Sequence, residues 1–354
     1  MSAVKYDGYT DYRAGIRFIE SLASWLNQFP QEHREAAYGF VKNRLIYVSP
    51  AEIQQIIEAF YAEEVSPRLR EAVAKRHDIS SYEVWCTKET AIEYEIQKRK
   101  TLFIGMSDGS RIDILRRINS GTLTTEQVLP MMNVDDEKWR DLQKNLDEDK
   151  IFRDGDERKF DRVYLIDDFT ASGTTFIRSV DGEWKGKLKK FNEIVRQARC
   201  HMKSEEFPLA ENFSLHIHHY ITSSQAAKAL DQRLKEADEQ WEERAYSEAT
   251  LSHGLVLPES VVLREPGDAE ILHLCDTHYD HWIFKDYEKH CRQAGQEDMK
   301  RGYADCALPI VLDHNTPNNS VPLIWADTDD DVRELARDTD KKMRPLFRRR
   351  QRHG

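Results

Sequence analysis

Residues 163–175 read Val163-Tyr164-Leu165-Ile166-Asp167-Asp168-Phe169-Thr170-Ala171-Ser172-Gly173-Thr174-Thr175, and this stretch decides the fold. Four consecutive apolar residues predict a buried strand, followed by two adjacent carboxylates and a loop of small residues. Residues 176–178 are expected to open a helix. Thr170, Ala171, Ser172, Gly173, Thr174 and Thr175 are small enough for several backbone N–H groups to converge on one point. A helix N-terminus behind them adds partial positive charge, so the geometry suits a phosphate. Asp167 and Asp168 can accept hydrogen bonds from sugar hydroxyls or hold water on a divalent cation. A phosphate cradle beside a diol clamp describes a ribose 5-phosphate site. A generic strand ending in a solvated Asp-Asp turn is the plainer alternative.

These residues resemble the signature of the type I phosphoribosyltransferases: four apolar residues, two acids, two apolar or small residues, then a small-small-Gly-x-Thr loop. Phe169 is bulkier than the usual aliphatic residue there. The resemblance implies an α/β fold, a phosphoribosyltransferase-like parallel sheet flanked by helices, with a helical N-terminal extension and a C-terminal hood. It further implies 5-phosphoribosyl 1-pyrophosphate (PRPP) or a nucleotide as ligand and Mg2+ as cofactor. Asp167 and Asp168 would be the catalytic pair, and residues 170–175 would bind the 5-phosphate. Some family members carry an acid that acts on the base at the position of Ala171, and this chain lacks it. Transfer to a base or amine, cleavage of a nucleotide at its glycosidic bond, and a catalytically inactive nucleotide-sensing module all stay open.

Upstream, residues 102–104 predict a short strand that runs into Gly105, Met106, Ser107, Asp108, Gly109, Ser110 and Arg111. Two glycines let backbone approach a ligand, while Ser110 and Arg111 can donate to an anion. In the resembled family a loop after the second core strand binds pyrophosphate. An ordinary strand-to-helix turn explains the same residues. Residues 111–150 read as a polar helical insertion, either solvated or a flap of the kind that excludes water in that family.

Downstream, residues 213–221 predict a strand beside the first one. His216 and His218 share a face at the two-residue period, with His219 opposite. A zinc site needs further ligands that no nearby spacing supplies, so core or cleft-lining histidines are the better reading, and no protein metal site is assigned. The same holds for Asp276, His278 and Asp280, read as a polar helix face. Residues 223–248 predict a long helix, followed by short strands near 256 and 261–263. Two apolar strands are then expected to flank the polar loop 313–322. His218, His314, Asn315, Asn318 and Asn319 are the candidates for contacting a base, since Asn both donates and accepts. Turn chemistry explains the same amides.

At 354 residues the chain can bury a sizeable core. Its expected organisation is a helical N-terminal module (1–80), a phosphoribosyltransferase-like domain (81–325, hood about 256–325) and a helix with a basic tail (326–354). In the first module, Ser49 and Glu52 form a capping box, and Pro67 is expected to break or restart the helical run. No basic recognition helix stands out. A net charge of −11 excludes a broad nucleic-acid-coating surface. The tail residues Lys341, Lys342, Arg344, Arg348, Arg349, Arg350 and Arg352 nevertheless form a local basic patch. That patch and the N-terminal helices are candidate contacts for a protein partner or retron RNA or DNA; a solvated terminus explains the tail equally well. Five cysteines without a C-x-x-C pair, no apolar leader and no run of about 18 apolar residues predict a cytoplasmic chain with reduced thiols and no membrane contact. The order of these motifs also resembles a narrower group, the PRTase-CE type of bacterial conflict systems, some beside retron reverse transcriptases. That resemblance implies an effector role in phage defence.

Overall fold

The computed structural model describes residues 15–328 and 342–347. They fall into two units, each taken by itself: Met1–Glu52 together with Pro258–Gly354, and the continuous segment Ile53–Leu257. The contacts therefore do not divide the chain after residue 80. The physical reason lies in the third helix, whose Ile53, Ile57 and Phe60 are buried on the side of the second unit.

The first unit opens with α1 (Gly15–Asn27), α2 (Gln31–Asn43) and β1 (Ile46–Val48). Helix α3 (Pro50–Phe60) follows, and its capping box forms as the sequence predicts. The backbone N–H of Ser49 donates to Glu52 at 2.7 Å, and that of Glu52 donates to the Ser49 hydroxyl at 3.3 Å. A π-helical turn, Tyr61–Val65, carries the chain without a break into α4 (Ser66–His77), where Pro67 sits in the first turn. There its missing N–H costs no helical bond, so it does not end the run.

The second unit continues with α5 (Lys88–Arg99), β2 (Thr101–Gly105), α6 (Ile112–Ile118), β3 (Val128–Leu129), α7 (Asp136–Asp147) and β4 (Phe160–Thr170). Then come β5 (Arg178–Val180), β6 (Glu183–Lys185), α8 (Lys187–His201), β7 (Leu209–Ser223), α9 (Ser224–Gln240) and β8 (Glu248–Leu257). Five of these strands form one parallel sheet in the order β3-β2-β4-β7-β8. The strand order reverses between β2 and β4, and in open parallel sheets ligands bind beyond the strand ends at such a reversal. β2 ends in the 105–111 loop and β4 in the 170–175 loop, so the topology brings both candidate loops to one crevice.

Val163, Tyr164, Leu165 and Ile166 have no exposed surface because helices cover both faces of the sheet. On one face Leu102, Ile104, Val163, Leu165, Leu215 and Ile217 pack with residues of α7, α8 and α9. On the other, Phe60 of α3 meets Tyr164, His218 and Tyr220 with ring centroids 5.6, 4.3 and 6.1 Å apart. Residues 111–150 are not a solvated insertion. β3 is an edge strand of the sheet, and Trp139, Leu142 and Leu146 of α7 are fully buried at helical spacing.

The first unit resumes with α10 (Ala269–Thr277), α11 (Trp282–Gln293), β9 (Ile310–Leu312) and α12 (Pro322–Trp325). β1 and β9 pair in parallel. The indole N–H of Trp25 donates to the Leu323 carbonyl at 2.7 Å, within a core that also holds Phe29, Phe40 and Ile324. Residues 322–325 are helical rather than a second strand, because Pro322 is well placed in a first turn.

Candidate active site

β4 runs through the acid pair to Thr170 instead of ending before it. Successive side chains of a strand point to opposite faces, so Asp167 and Asp168 part company and do not form one clamp. Asp167 is buried; its Oδ1 accepts a 2.5 Å hydrogen bond from Ser107 Oγ, and its Oδ2 accepts from Lys187 Nζ. Asp168 is half-buried and lies beside Gly109, where an added Cβ would come within 2.7 Å of its Oδ2.

The 105–111 loop is held by protein contacts. Met106 N–H donates to the Ile166 carbonyl at 2.8 Å. A Cβ on Gly105 would fall 2.5 Å from Ser110 Oγ and 2.6 Å from the Pro130 carbonyl oxygen. Both glycines thus make room for neighbouring protein atoms rather than for a ligand. Asp108–Ser110 form a 3-10 turn with Ser110 buried, and Arg111 adopts a left-handed backbone, φ 51°, before α6. Of this loop, Ser107 is the residue bonded to Asp167.

The 170–175 loop is anchored through its carbonyls. Ser223 Oγ donates to the Ala171 oxygen at 2.5 Å, Arg233 to that of Ser172 at 3.1 Å and Arg178 to that of Thr174 at 2.9 Å. In a trans peptide the N–H points opposite the C=O. The N–H groups of Ser172, Gly173 and Thr175 therefore each point away from the donor that holds the preceding carbonyl. Gly173, at φ 69°, would place a Cβ 2.9 Å from Leu230, so this position requires glycine. The Ser172 and Thr174 hydroxyls bond each other at 2.8 Å.

No helix begins at 176–178. A hairpin, β5–β6, intervenes, and α8 starts at Lys187. The first N–H groups of α8 are engaged, Lys187 N–H with the Thr175 oxygen and Leu188 N–H with the Phe176 oxygen, both at 3.1 Å. The sequence does carry the signal for the hairpin. Asp181-Gly182, both at positive φ, is a favoured two-residue hairpin turn.

Positive charge arrives instead through Lys187, which the sequence reading missed. Burial by itself would raise the Asp167 pKa. Lys187, His219 and the hydrogen bonds from Lys187 and Ser107 outweigh that and hold the carboxyl below its ordinary value. His219, in register with Asp167 on β7, is 1% exposed and pushed down to about 3, chiefly by burial, so it is neutral at pH 7.

The base-contact candidates each have protein partners. His218 is buried under Phe60, with Nδ1 bonded to Ser252 Oγ at 2.8 Å, and burial pushes its pKa well below the ordinary value. It is 2% exposed and packs as a core histidine. His314, Asn315, Asn318 and Asn319 belong to the first unit. His314 pairs with Asp313 at 2.9 Å, and Asn315 exchanges backbone bonds with Leu312. The Asn318 carbonyl accepts from Tyr303 N–H, and the buried Asn319 donates to the Tyr303 carbonyl at 3.0 Å. Asn319 thus braces its own loop.

A parallel sheet in this order, with the acid-bearing strand at its reversal and a carbonyl-anchored small-residue loop after it, is the setting in which comparison with known proteins becomes informative. The PRTase-CE family model matches residues 22–349. The chain belongs to the PRTase-CE family. Membership makes its function phosphoribosyltransferase-like and its expected ligand PRPP or a nucleotide. No match was found among curated proteins or among solved structures. In this PRTase-CE chain no described helix is long and apolar enough to cross a membrane. Of its basic tail, Lys341, Arg348, Arg349, Arg350 and Arg352 lie outside the described residues. Arg344 is described, and its backbone N–H donates to the Gln28 side chain at 3.0 Å.

Proposed function

We propose that this PRTase-CE protein acts at C1 of a ribose 5-phosphate. The observation that carries this reading is the Ser107–Asp167 hydrogen bond, which joins the 105–111 loop to the acid pair directly ahead of the 170–175 loop. In the transfer direction, the bond from C1 to a pyrophosphate oxygen breaks, and pyrophosphate leaves with the electron pair. A bond from C1 to a nitrogen nucleophile forms as that nitrogen gives up a proton. The N–H groups of Ser172, Gly173 and Thr175 would receive the 5-phosphate. Asp168 would accept from a ribose hydroxyl and favour the positive charge that grows on C1. In the cleavage direction, the C1–N bond of a nucleotide breaks, the base leaves with the electron pair and takes up a proton, and a bond from C1 to a water oxygen forms as that water gives up a proton.

Mg2+ fits this site through Asp168. Asp168 is a hard oxygen donor with partial exposure. Among the described residues no three His, Cys, Asp or Glu side chains form a metal cage. That suits an ion held mainly by water and ligand phosphates. When bound, it would neutralise charge on the leaving group.

The effector role in phage defence that the resemblance implies is part of the same proposal. Metabolite profiling of cells expressing the wild type and the Asp167→Asn/Asp168→Asn double variant tests it. Altered nucleotide or PRPP pools and toxicity are expected for the wild type alone. Unchanged pools under the wild type overturn the enzymatic reading. Ala171, in place of an acid, together with the occupied Asp167, favours a second reading, a module that binds a phosphorylated ribose without turnover. Ligand binding with no product formed in the presence of Mg2+ would establish that one.

A further inference from the structure

We propose that Lys187 is an anion-binding residue of this site, held by Asp167 so that its ammonium serves both the carboxylate and an anionic oxygen of the ligand. The inference rests on the phosphoribosyl reading above and adds a residue and a division of labour to it. Asp167 becomes a positioning residue for that ammonium.

Three observations support it. First, the backbone of Lys187 is strapped to the end of the 170–175 loop through its bond to the Thr175 carbonyl. Gly186, at φ 117°, makes that approach possible, since a Cβ there would lie 2.4 Å from the Phe176 oxygen. Second, the Lys187 side chain keeps 20% of its surface exposed, against 9% for Asp167. The Lys187 side chain is thus the more exposed member of the pair. It has three N–H donors, and Asp167 Oδ2 uses one. Third, two adjacent carboxylates repel a phosphate. The first two N–H groups of α8 are committed to loop carbonyls, while Arg178 and Arg233 donate to the loop oxygens that anchor it. Lys187 donates directly to Asp167 of the acid pair.

The test measures binding of PRPP, ribose 5-phosphate and inorganic pyrophosphate by calorimetry at low and moderate salt, using wild type and Lys187→Met. The variant is expected to bind PRPP at least tenfold more weakly and with a flatter salt dependence. Wild-type-like affinity in Lys187→Met overturns the proposal and leaves the phosphoribosyl reading standing. A wild type that binds none of the three overturns that reading, and this inference with it. Should the variant not fold, acetylation of wild-type lysines read by peptide mass spectrometry decides. PRPP is expected to slow labelling of Lys187 severalfold while Lys189 and Lys190 on the same helix are unchanged. An unaffected Lys187 rate overturns the proposal.

Discussion

Ser107 Oγ donates to Asp167 Oδ1 at 2.5 Å across a sequence separation of 60 residues, tying the end of β2 to the acid pair of β4. A hydrogen bond to a buried carboxylate contributes about 1.5–3 kcal/mol. Ser107→Ala is therefore expected to destabilise the protein by roughly 2 kcal/mol in urea unfolding. It is also expected to weaken PRPP binding, because the 105–111 loop loses its link to Asp167.

The two carboxylates should separate in single variants. Asp168→Asn is expected to lower turnover at least a hundredfold with little change in melting temperature. Asp167→Asn is expected to lower stability as well, since it removes the partner of Lys187. Steady-state kinetics beside thermal melts of each variant decides. Equal thermal effects would contradict the strand alternation that sets them on opposite faces.

Acid should destabilise the fold well before its carboxylates titrate. His216 and His219 are buried neutral, with pKa values lowered to about 3, burial being the main cause. In the unfolded chain they take up protons near the ordinary value of 6.5. Their contribution is complete above 6.5 and is lost as pH falls from there towards 3, at about 1.4 kcal/mol per pH unit for each histidine. Asp167, with a lowered pKa, adds a loss that begins only as pH drops below the ordinary 3.8. Urea melts between pH 4 and 8 are expected to show a slope that His216→Gln reduces by about one proton.

Gly186→Ala should disturb the candidate site from outside it. The positive φ and the close Phe176 carbonyl together suggest a cost of about 3 kcal/mol. Chemical denaturation measures it, and a cost under about 0.5 kcal/mol would show that the α8 start does not rest on the loop.

Much of the second unit was legible because its signals are redundant. Val163–Ile166 are four apolar residues in a row, which only a strand covered on both faces uses economically, and the two-residue period set His216 and His218 together correctly. β3 was not legible, since two residues carry no period. The acid pair was read as a strand end because polar residues normally mark one. Here Ser107 and Lys187 satisfy Asp167, so the strand can continue through it. The Asp181-Gly182 hairpin was legible and overlooked, whereas Lys187 had no local signal at all. Its role comes from a bond to a residue 20 positions earlier. In the Asn-rich segment, Asn319 braces its own loop through the Tyr303 carbonyl, a contact that no local pattern announces.

Trp25 and Leu323, whose hydrogen bond closes the core of the first unit, are 298 residues apart in the chain. At a synthesis rate of about 5–20 residues per second, Trp25 leaves the ribosome roughly 15–60 s before Leu323 is made. Once Leu257 is made, the segment Ile53–Leu257 has all of its own strands to hand, while the first unit still lacks the part of its core from Leu263 onward. On the ribosome, then, the strands of the crevice bearing Asp167 and Lys187 are all present before the core that joins Trp25 to Leu323 can close.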